Sequence, residues 1–234
     1  MWQAVVGISF GLVVGMEIFG GTGRYVFHPV LVGLAFLYFT YPASFSGEGV
    51  WVGVPGADGT TVLRAASEGG LAALGAGSIR WIDTLVGLEP GALGETSALA
   101  CLAGGVLLVY ARLASWRVLA GGVLGLVITA ELSNALADAT RPLRGLAWHW
   151  HLTTGSFAFG LVFLATDPVT SAVTAAGRWA YGALIGFLVV VVRVFNPAHP
   201  EGVMVAILLA NVLAPLLDRA VVWRYGLRRR RRLG

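Results

Sequence analysis

Acidic residues within or beside strongly apolar stretches are the feature of this sequence most able to support chemistry. Six residues have this character: Glu17, Glu95, Glu131, Asp138, Asp167 and Asp218. A carboxylate near hydrocarbon is costly, so it marks either an ion pathway or a helix end at the membrane surface. We take Glu17 and Asp218 as the candidates for a cation pathway. The alternative for Asp218 is an interfacial ion pair with the adjacent Arg219.

Two histidines, His149 and His151, alternate with tryptophans and could suggest a haem or a metal. Haem ligands in a helical bundle face each other from two helices, whereas these histidines are two residues apart on one. The pattern is more typical of an aromatic belt at the membrane interface, and we predict no metal site. The single cysteine, Cys101, cannot hold an iron–sulfur cluster alone and is predicted to be a buried helix residue.

Glycine and proline interrupt the apolar segments at residues 19–23, 165–168 and 196–202. Carriers use such interrupted helices, together with acidic residues, to expose carbonyls and charges to ions. Asp167 and Glu201 adjoin proline or glycine and are predicted to lie in turns, as helix caps. Residues 20–23 lack the G-x-G-x-x-G spacing and follow no strand, so nucleotide binding is only weakly supported.

These residues must be positioned by membrane helices. The chain of 234 residues is 57% hydrophobic and only 12% charged, about half the charge usual in a soluble domain. We predict an all-α integral membrane protein, a polytopic bundle of about six or seven transmembrane or broken helices forming one domain over residues 1–234. The predicted segments are residues 3–18, 29–45, 96–114, 117–134, 151–166, 178–195 and 202–222. Glycines recur every fourth residue in three of them, a spacing that lets helix backbones approach closely.

The positive charge predicts orientation and not nucleic-acid binding. All 16 basic residues are arginines, and five of them form residues 228–232. A basic tail, residues 224–234, after the last apolar span favours a cytoplasmic C-terminus and places an outward loop at about residues 46–95. A nucleic-acid binder would also need stacking aromatics on a soluble face. The N-terminus then lies outside, so we expect the chain to be the C-terminal part of a longer protein, or one encoded in pieces.

Four stretches of the sequence resemble one known family: residues 7–23, 93–100, 157–169 and 196–215. Their motifs, including Glu17-Ile18-Phe19-Gly20-Gly21 and Ala165-Thr166-Asp167-Pro168, are similar to those of the B subunit of the bacterial sodium-translocating NADH:quinone reductase. The Rnf complex D subunit is more distantly similar. The stretches occur in the family's order and spacing over nearly the whole chain, while the family's first third is absent.

The resemblance implies a subunit of a redox-driven cation pump in the bacterial inner membrane, with FMN, riboflavin, ubiquinone, sodium ions and the other subunits of the complex as cofactors, substrates and partners. In the family, FMN is joined to a threonine in an outward loop, within an Asp-x-x-Ser/Thr-Gly-Ala-Thr motif. Residues 55–61 align with it: Thr61 matches the acceptor and Gly59 the glycine. Pro55, Asp58 and Thr60 depart from the motif. Thr61 is therefore the candidate for covalent flavin attachment, and an ordinary polar turn is the alternative.

Two further hypotheses remain open at this point. The altered flavin motif and the broken helices are also compatible with a non-redox secondary ion transporter on the same scaffold. The missing first third is compatible with a partial gene product.

Overall fold

The computed structural model describes residues 2–41, 62–77, 79–89, 96–137, 141–196 and 201–233. Within these ranges the regular structure is helical, without strands, which confirms the all-α prediction. The helices are α1 (Trp2–Gly15), α2 (Pro29–Thr40), α3 (Val62–Ala76), α4 (Trp81–Val86), α5 (Ala98–Tyr110), α6 (Trp116–Ala135), α7 (Trp148–Thr153), α8 (Phe157–Phe159), α9 (Ala175–Phe195) and α10 (Val203–Leu233). A short 3-10 turn, Glu17–Phe19, follows α1, and another, Pro142–Gly145, precedes α7.

Four stretches of helix among the described residues are long and apolar enough to cross a membrane: Trp2–Phe19, Trp116–Ala135, Ala175–Phe195 and Val203–Leu227. Two shorter apolar helices, Pro29–Thr40 and Ala98–Tyr110, accompany them. These six correspond to six of the predicted segments. The helix predicted over residues 29–45 ends at Thr40, and α10 continues well beyond its predicted end at residue 222.

Glycines bring two pairs of helices into backbone contact, as their spacing predicts. In the parallel pair α6 and α9, a Cβ added at Gly125 would overlap Ala183, and one added at Gly186 would overlap the backbone of Gly122. The antiparallel pair α1 and α2 meets in the same way, since a Cβ at Gly11 would lie 2.5 Å from the carbonyl oxygen of Pro29. Helices in lipid associate largely through such van der Waals contact, because hydrocarbon removes the hydrophobic driving force between them.

The segment predicted over residues 151–166 is interrupted by a break in the helix. The chain leaves the helix after Thr153, passes through Gly155 at φ 64°, and re-enters helix at Phe157. From Gly160 to Leu164 the helix widens to π geometry. Apolar character over this stretch indicated a membrane segment, but it did not reveal that a left-handed glycine divides the segment in two.

The main hydrophobic core joins α6, α8, α9 and α10. A second group, which we call the cap cluster, consists of Val62, Leu63, Ala66, Leu74, Leu143, Leu146 and Trp150. It packs α3 against the residues that precede and begin α7. In its described residues, 62–77 and 79–89, the segment predicted as an outward loop at residues 46–95 forms two helices, α3 and α4, and the first of them carries part of a core.

The predicted interfacial belt at residues 148–151 is wrong for two of its four members. Trp150 is buried in the cap cluster, and His151 has an exposed fraction of 0%. Trp148 remains exposed, at 37%, and His149 stacks edge-on between Trp81 and Trp148. Alternation of aromatic and polar residues was compatible with a belt, but α3 packs against Trp150 in the cap cluster and Arg193 bonds to His151. Cys101 is buried in a helix, as predicted.

Candidate functional site

The turn after α1 contains Glu17 and the glycine-rich loop. Gly20, Gly21 and Gly23 have φ angles of 109°, 84° and 85°, a region that side chains with a Cβ rarely enter. The amide of Gly21 donates to the carbonyl of Met16 at 3.1 Å, which closes the turn. The side chain of Glu17 is exposed on the surface of this chain. The loop thus presents a carboxylate at the end of a membrane helix.

Asp167 lies in the turn after α8 and connects that turn to the glycine-rich loop. Its carboxylate accepts from the backbone amide of Val169 at 3.3 Å and from the hydroxyl of Thr170 at 3.0 Å. These bonds confirm the predicted turn. A third donor comes from far away in the sequence, because the hydroxyl of Tyr25 lies 3.4 Å from Oδ1 of Asp167.

The pKa values of two residues that lie near Asp167 in space, Tyr25 and His28, are shifted by burial and by the charge of its carboxylate. Burial raises the pKa of Tyr25, and the Asp167 carboxylate raises it further. Burial lowers the pKa of His28 below its ordinary value, while Asp167 opposes that shift. Nδ1 of His28 is buried and has no hydrogen-bond partner in the part of the chain that is described. Sequence reasoning did not identify Tyr25 or His28 as site residues, because no local signal connects them to Asp167.

Asn211 ties this region to α9 and α10. It is 1% exposed and lies in the first third of α10. With its amide oriented to satisfy its neighbours, Asn211 donates to the Tyr181 hydroxyl at 2.6 Å and accepts from the backbone amide of His28 at 3.3 Å. A buried amide needs such partners, since an unpaired polar group in a bundle core costs about 1–3 kcal/mol. Three membrane helices, α2, α9 and α10, therefore meet at one side chain.

Asp218, the second cation-pathway candidate, caps the beginning of α9. Its carboxylate accepts from the amides of Val173 and Thr174 at 2.8 and 2.9 Å and from the Thr174 hydroxyl at 2.5 Å. Thr174 in turn accepts from the amide of Gly177 at 3.0 Å. A carboxylate at this place pairs free amides and complements the helix dipole. No ion pair between Asp218 and Arg219 occurs within the described ranges, and neither does a hydrogen bond between Asp218 and Glu17.

A buried arginine holds the break between α7 and α8 at the opposite end of α9. Arg193 is 0% exposed. Its Nη1 donates to the carbonyl of His151 at 2.6 Å, and its Nη2 to the carbonyl of Thr154 at 2.8 Å. A Cβ at Gly155 would lie 2.9 Å from both this guanidinium and Leu63 of α3, so the break adjoins the cap cluster. Sequence reasoning missed Arg193, although a lone arginine inside an apolar run was a visible signal.

Several predicted residues cannot be placed. Thr61 and Gly59, the flavin candidates, lie outside the described residues, as do Glu95 and Asp138. The nearest described neighbour of Thr61 is Val62, the first residue of α3.

Glu201 lies in the turn before α10, as predicted, and accepts from the Ser156 hydroxyl at 3.4 Å. Among the described residues no group of three or more histidine, cysteine or acidic side chains gathers as metal ligands.

The sequence of the chain is similar to those of a known family of proteins. The sequence model of the NQR2, RnfD, RnfE family matches residues 1–225. The chain is 49% identical over 222 residues to the B subunit of the Na(+)-translocating NADH-quinone reductase of Azotobacter vinelandii, covering 95% of this chain and 55% of the relative. It is 50% identical to the corresponding Pseudomonas aeruginosa protein over the same shares. Identity to the corresponding Haemophilus influenzae protein is 48% over 237 residues, or 99% of this chain and 57% of the relative. The chain thus spans a little over half the length of these relatives.

Proposed function

The chain belongs to the NQR2, RnfD, RnfE family, and we propose that it is a membrane electron-transfer subunit of a flavin-dependent, sodium-translocating NADH:quinone oxidoreductase complex. The observation that carries this proposal is the 49–50% identity over 95% of the chain to subunits of a reductase of that name. The helical bundle with its interrupted segments supports it. We propose a bacterial inner membrane as its location, with a cytoplasmic C-terminus, on the strength of the arginine distribution.

Flavin is the cofactor that this function implies. A flavin exchanges one or two electrons, and it can therefore relay electrons between single-electron centres and a quinone such as ubiquinone, with the protein supplying position and electrostatics. We propose FMN at Thr61, with Gly59 allowing close backbone approach, and riboflavin as a second flavin of the complex. Two points support Thr61. It matches the family's acceptor position, and it directly precedes α3, whose N-terminal amides would favour a phosphate.

In-gel fluorescence tests the flavin assignment. The chain is co-expressed with a flavin transferase, denatured and run on a gel. Covalent flavin fluorescence is expected in the unmodified chain and in Thr60→Ala, and is expected to disappear in Thr61→Ala. A dark unmodified chain would reject covalent attachment and shift weight to noncovalent flavin.

Sodium uptake is the second part of the proposal. We propose that Glu17, after α1, and Asp218, which caps the start of α9, take part in it. Glu17 is the more accessible of the two, because its carboxylate is exposed and makes no hydrogen bond in the described part of the chain. Asp218 already accepts three hydrogen bonds at the start of α9. A sodium ion at Asp218 would therefore have to share that carboxylate with Thr174.

Amide substitutions in the assembled complex test the cation pathway. Glu17→Gln and Asp218→Asn are each expected to weaken the sodium dependence of quinone reduction. Thr174→Ala is the matched control, since it removes a hydrogen bond to Asp218 but leaves the charge. If Thr174→Ala has the same effect as Asp218→Asn, the role of Asp218 is structural. Unchanged sodium dependence in both amide variants would remove both residues from the pathway.

A non-redox secondary ion transporter is the competing function, favoured by the departures at Pro55, Asp58 and Thr60. The two functions differ in one measurable respect. Sodium movement by the redox subunit requires NADH and quinone turnover in the complex, whereas a secondary transporter would carry sodium down its gradient when reconstituted alone. Gradient-driven sodium flux in vesicles holding only this chain would favour the transporter.

A further inference from the structure

Helix α10 is longer than a membrane requires. Its 31 residues extend about 46 Å at 1.5 Å per residue, against a hydrocarbon thickness of about 30 Å. Counted from Val203, about 20 residues cross the hydrocarbon, which brings the helix to its surface near Val222. The remaining turns, residues 223–233, continue as the same helix.

Aromatic residues mark the point at which α10 leaves the hydrocarbon. Trp223 and Tyr225 have exposed fractions of 66% and 63%. Exposed tryptophan and tyrosine are typical of the headgroup level, where their rings contact acyl chains and their polar atoms contact water. Their position agrees with the length argument.

The turns beyond these aromatics carry a strong positive charge. Residues 219–234 contain seven arginines, namely Arg219, Arg224 and the five at 228–232, and no acidic residue. The nearest acid, Asp218, is occupied by Val173 and Thr174. Arginine as a residue type presents a planar fork that matches phosphate oxygens in pairs.

We propose that this C-terminal extension of α10 binds the phosphodiester headgroups of anionic phospholipids in the leaflet where the helix emerges. Arg228 lies about 9 Å and Arg232 about 15 Å beyond Val222 along the helix axis. Both positions lie no farther than one Debye length beyond the headgroup layer. An arginine side chain is also long enough to reach back toward the interface. Anionic headgroups in that leaflet would supply the complementary negative charge. The inference does not depend on the proposed redox function.

Fluorescence quenching by brominated lipids tests this proposal on the full chain in nanodiscs. The discs contain phosphatidylcholine with about one tenth brominated phosphatidylglycerol or, in a parallel set, brominated phosphatidylcholine. The signal of Trp223 is the difference between the chain and Trp223→Phe. At 50 mM KCl we expect phosphatidylglycerol to quench this signal at least about twofold more than phosphatidylcholine. At 500 mM KCl, where the Debye length is about 4 Å, the preference should approach parity.

Three variants separate charge from helix structure. Replacement of all five arginines at 228–232 by lysine should retain a salt-sensitive but smaller preference, and replacement by glutamine should abolish it. Arg80→Gln, an exposed arginine beside the cap cluster, should leave it unchanged. Equal quenching by the two lipids in the unmodified chain at 50 mM KCl would overturn the proposal and would point to an acidic protein surface as the partner. An undiminished preference in the glutamine variant would also overturn it.

Discussion

Three polar side chains of this bundle pair backbone groups where the helical backbone is interrupted. Arg193 donates to the carbonyls left free between α7 and α8. Asp167 and Asp218 accept from amides in the turns before α9. Backbone groups that lose their helical partners cannot be left unpaired away from water, so each interruption requires a side chain of the right polarity. The polar residues therefore explain how a broken segment persists inside an apolar bundle.

Arg193→Gln should destabilise the protein. Removing the guanidinium leaves two buried carbonyls without their donors, and the expected loss is about 2–5 kcal/mol of unfolding free energy. Thermal unfolding of the chain in detergent measures it. Arg219→Gln serves as the control, because Arg219 is exposed at the surface of α10. Equal unfolding temperatures for the two variants would contradict the assigned role of Arg193.

His28 should make the fold sensitive to acid. Its folded pKa is lowered by burial, so below about pH 6.5 the unfolded chain binds a proton that the folded chain does not. The free energy of unfolding should therefore fall as the pH drops below about 6.5. In His28→Asn, the decrease in unfolding temperature between pH 7.5 and pH 5.5 should be smaller than in the unmodified chain. An identical pH dependence would show that His28 does not contribute.

At the level of the helices, the close packing of α6 against α9 requires glycine at the contact. Gly186→Ala would place a methyl group against the backbone of Gly122, and the two helices would have to separate. The expected cost is about 1–3 kcal/mol. Gly226→Ala is the matched control, since a Cβ at that helical glycine meets nothing within 4 Å and alanine favours the helix by up to about 1 kcal/mol. Thermal unfolding should distinguish the two, and a neutral Gly186→Ala would refute the packing argument.

A break within a helical segment was harder to predict from the sequence than the segment itself. The apolar run at residues 151–166 was long enough for a span, yet Gly155 divides it and π geometry follows. Glycine is common in membrane helices, where it usually serves packing, as it does at Gly122 and Gly186. The same residue type therefore has two structural meanings, and the backbone around it decides between them.

At the level of the whole molecule, orientation in the membrane is the property most open to a direct test. The arginine distribution predicts that a reporter fused after Gly234 will report the cytoplasm and one inserted near Ala57 the outside. Alkaline phosphatase and green fluorescent protein fusions, active on opposite sides, measure this. The reverse result would also remove the outward placement of Thr61 on which the flavin proposal depends.

The membrane class, the number of apolar segments and the glycine faces between helices could all be read from the sequence, because hydrophobicity and the helical repeat are local properties. Asp167 could also be placed in a turn from its neighbours alone. Its contact with Tyr25, 142 residues away, could not. The same holds for the bond between Arg193 and His151, 42 residues apart, and for the capping of α9 by Asp218 of α10. Such contacts are set by how helices pack against one another, and neither composition nor periodicity specifies that geometry.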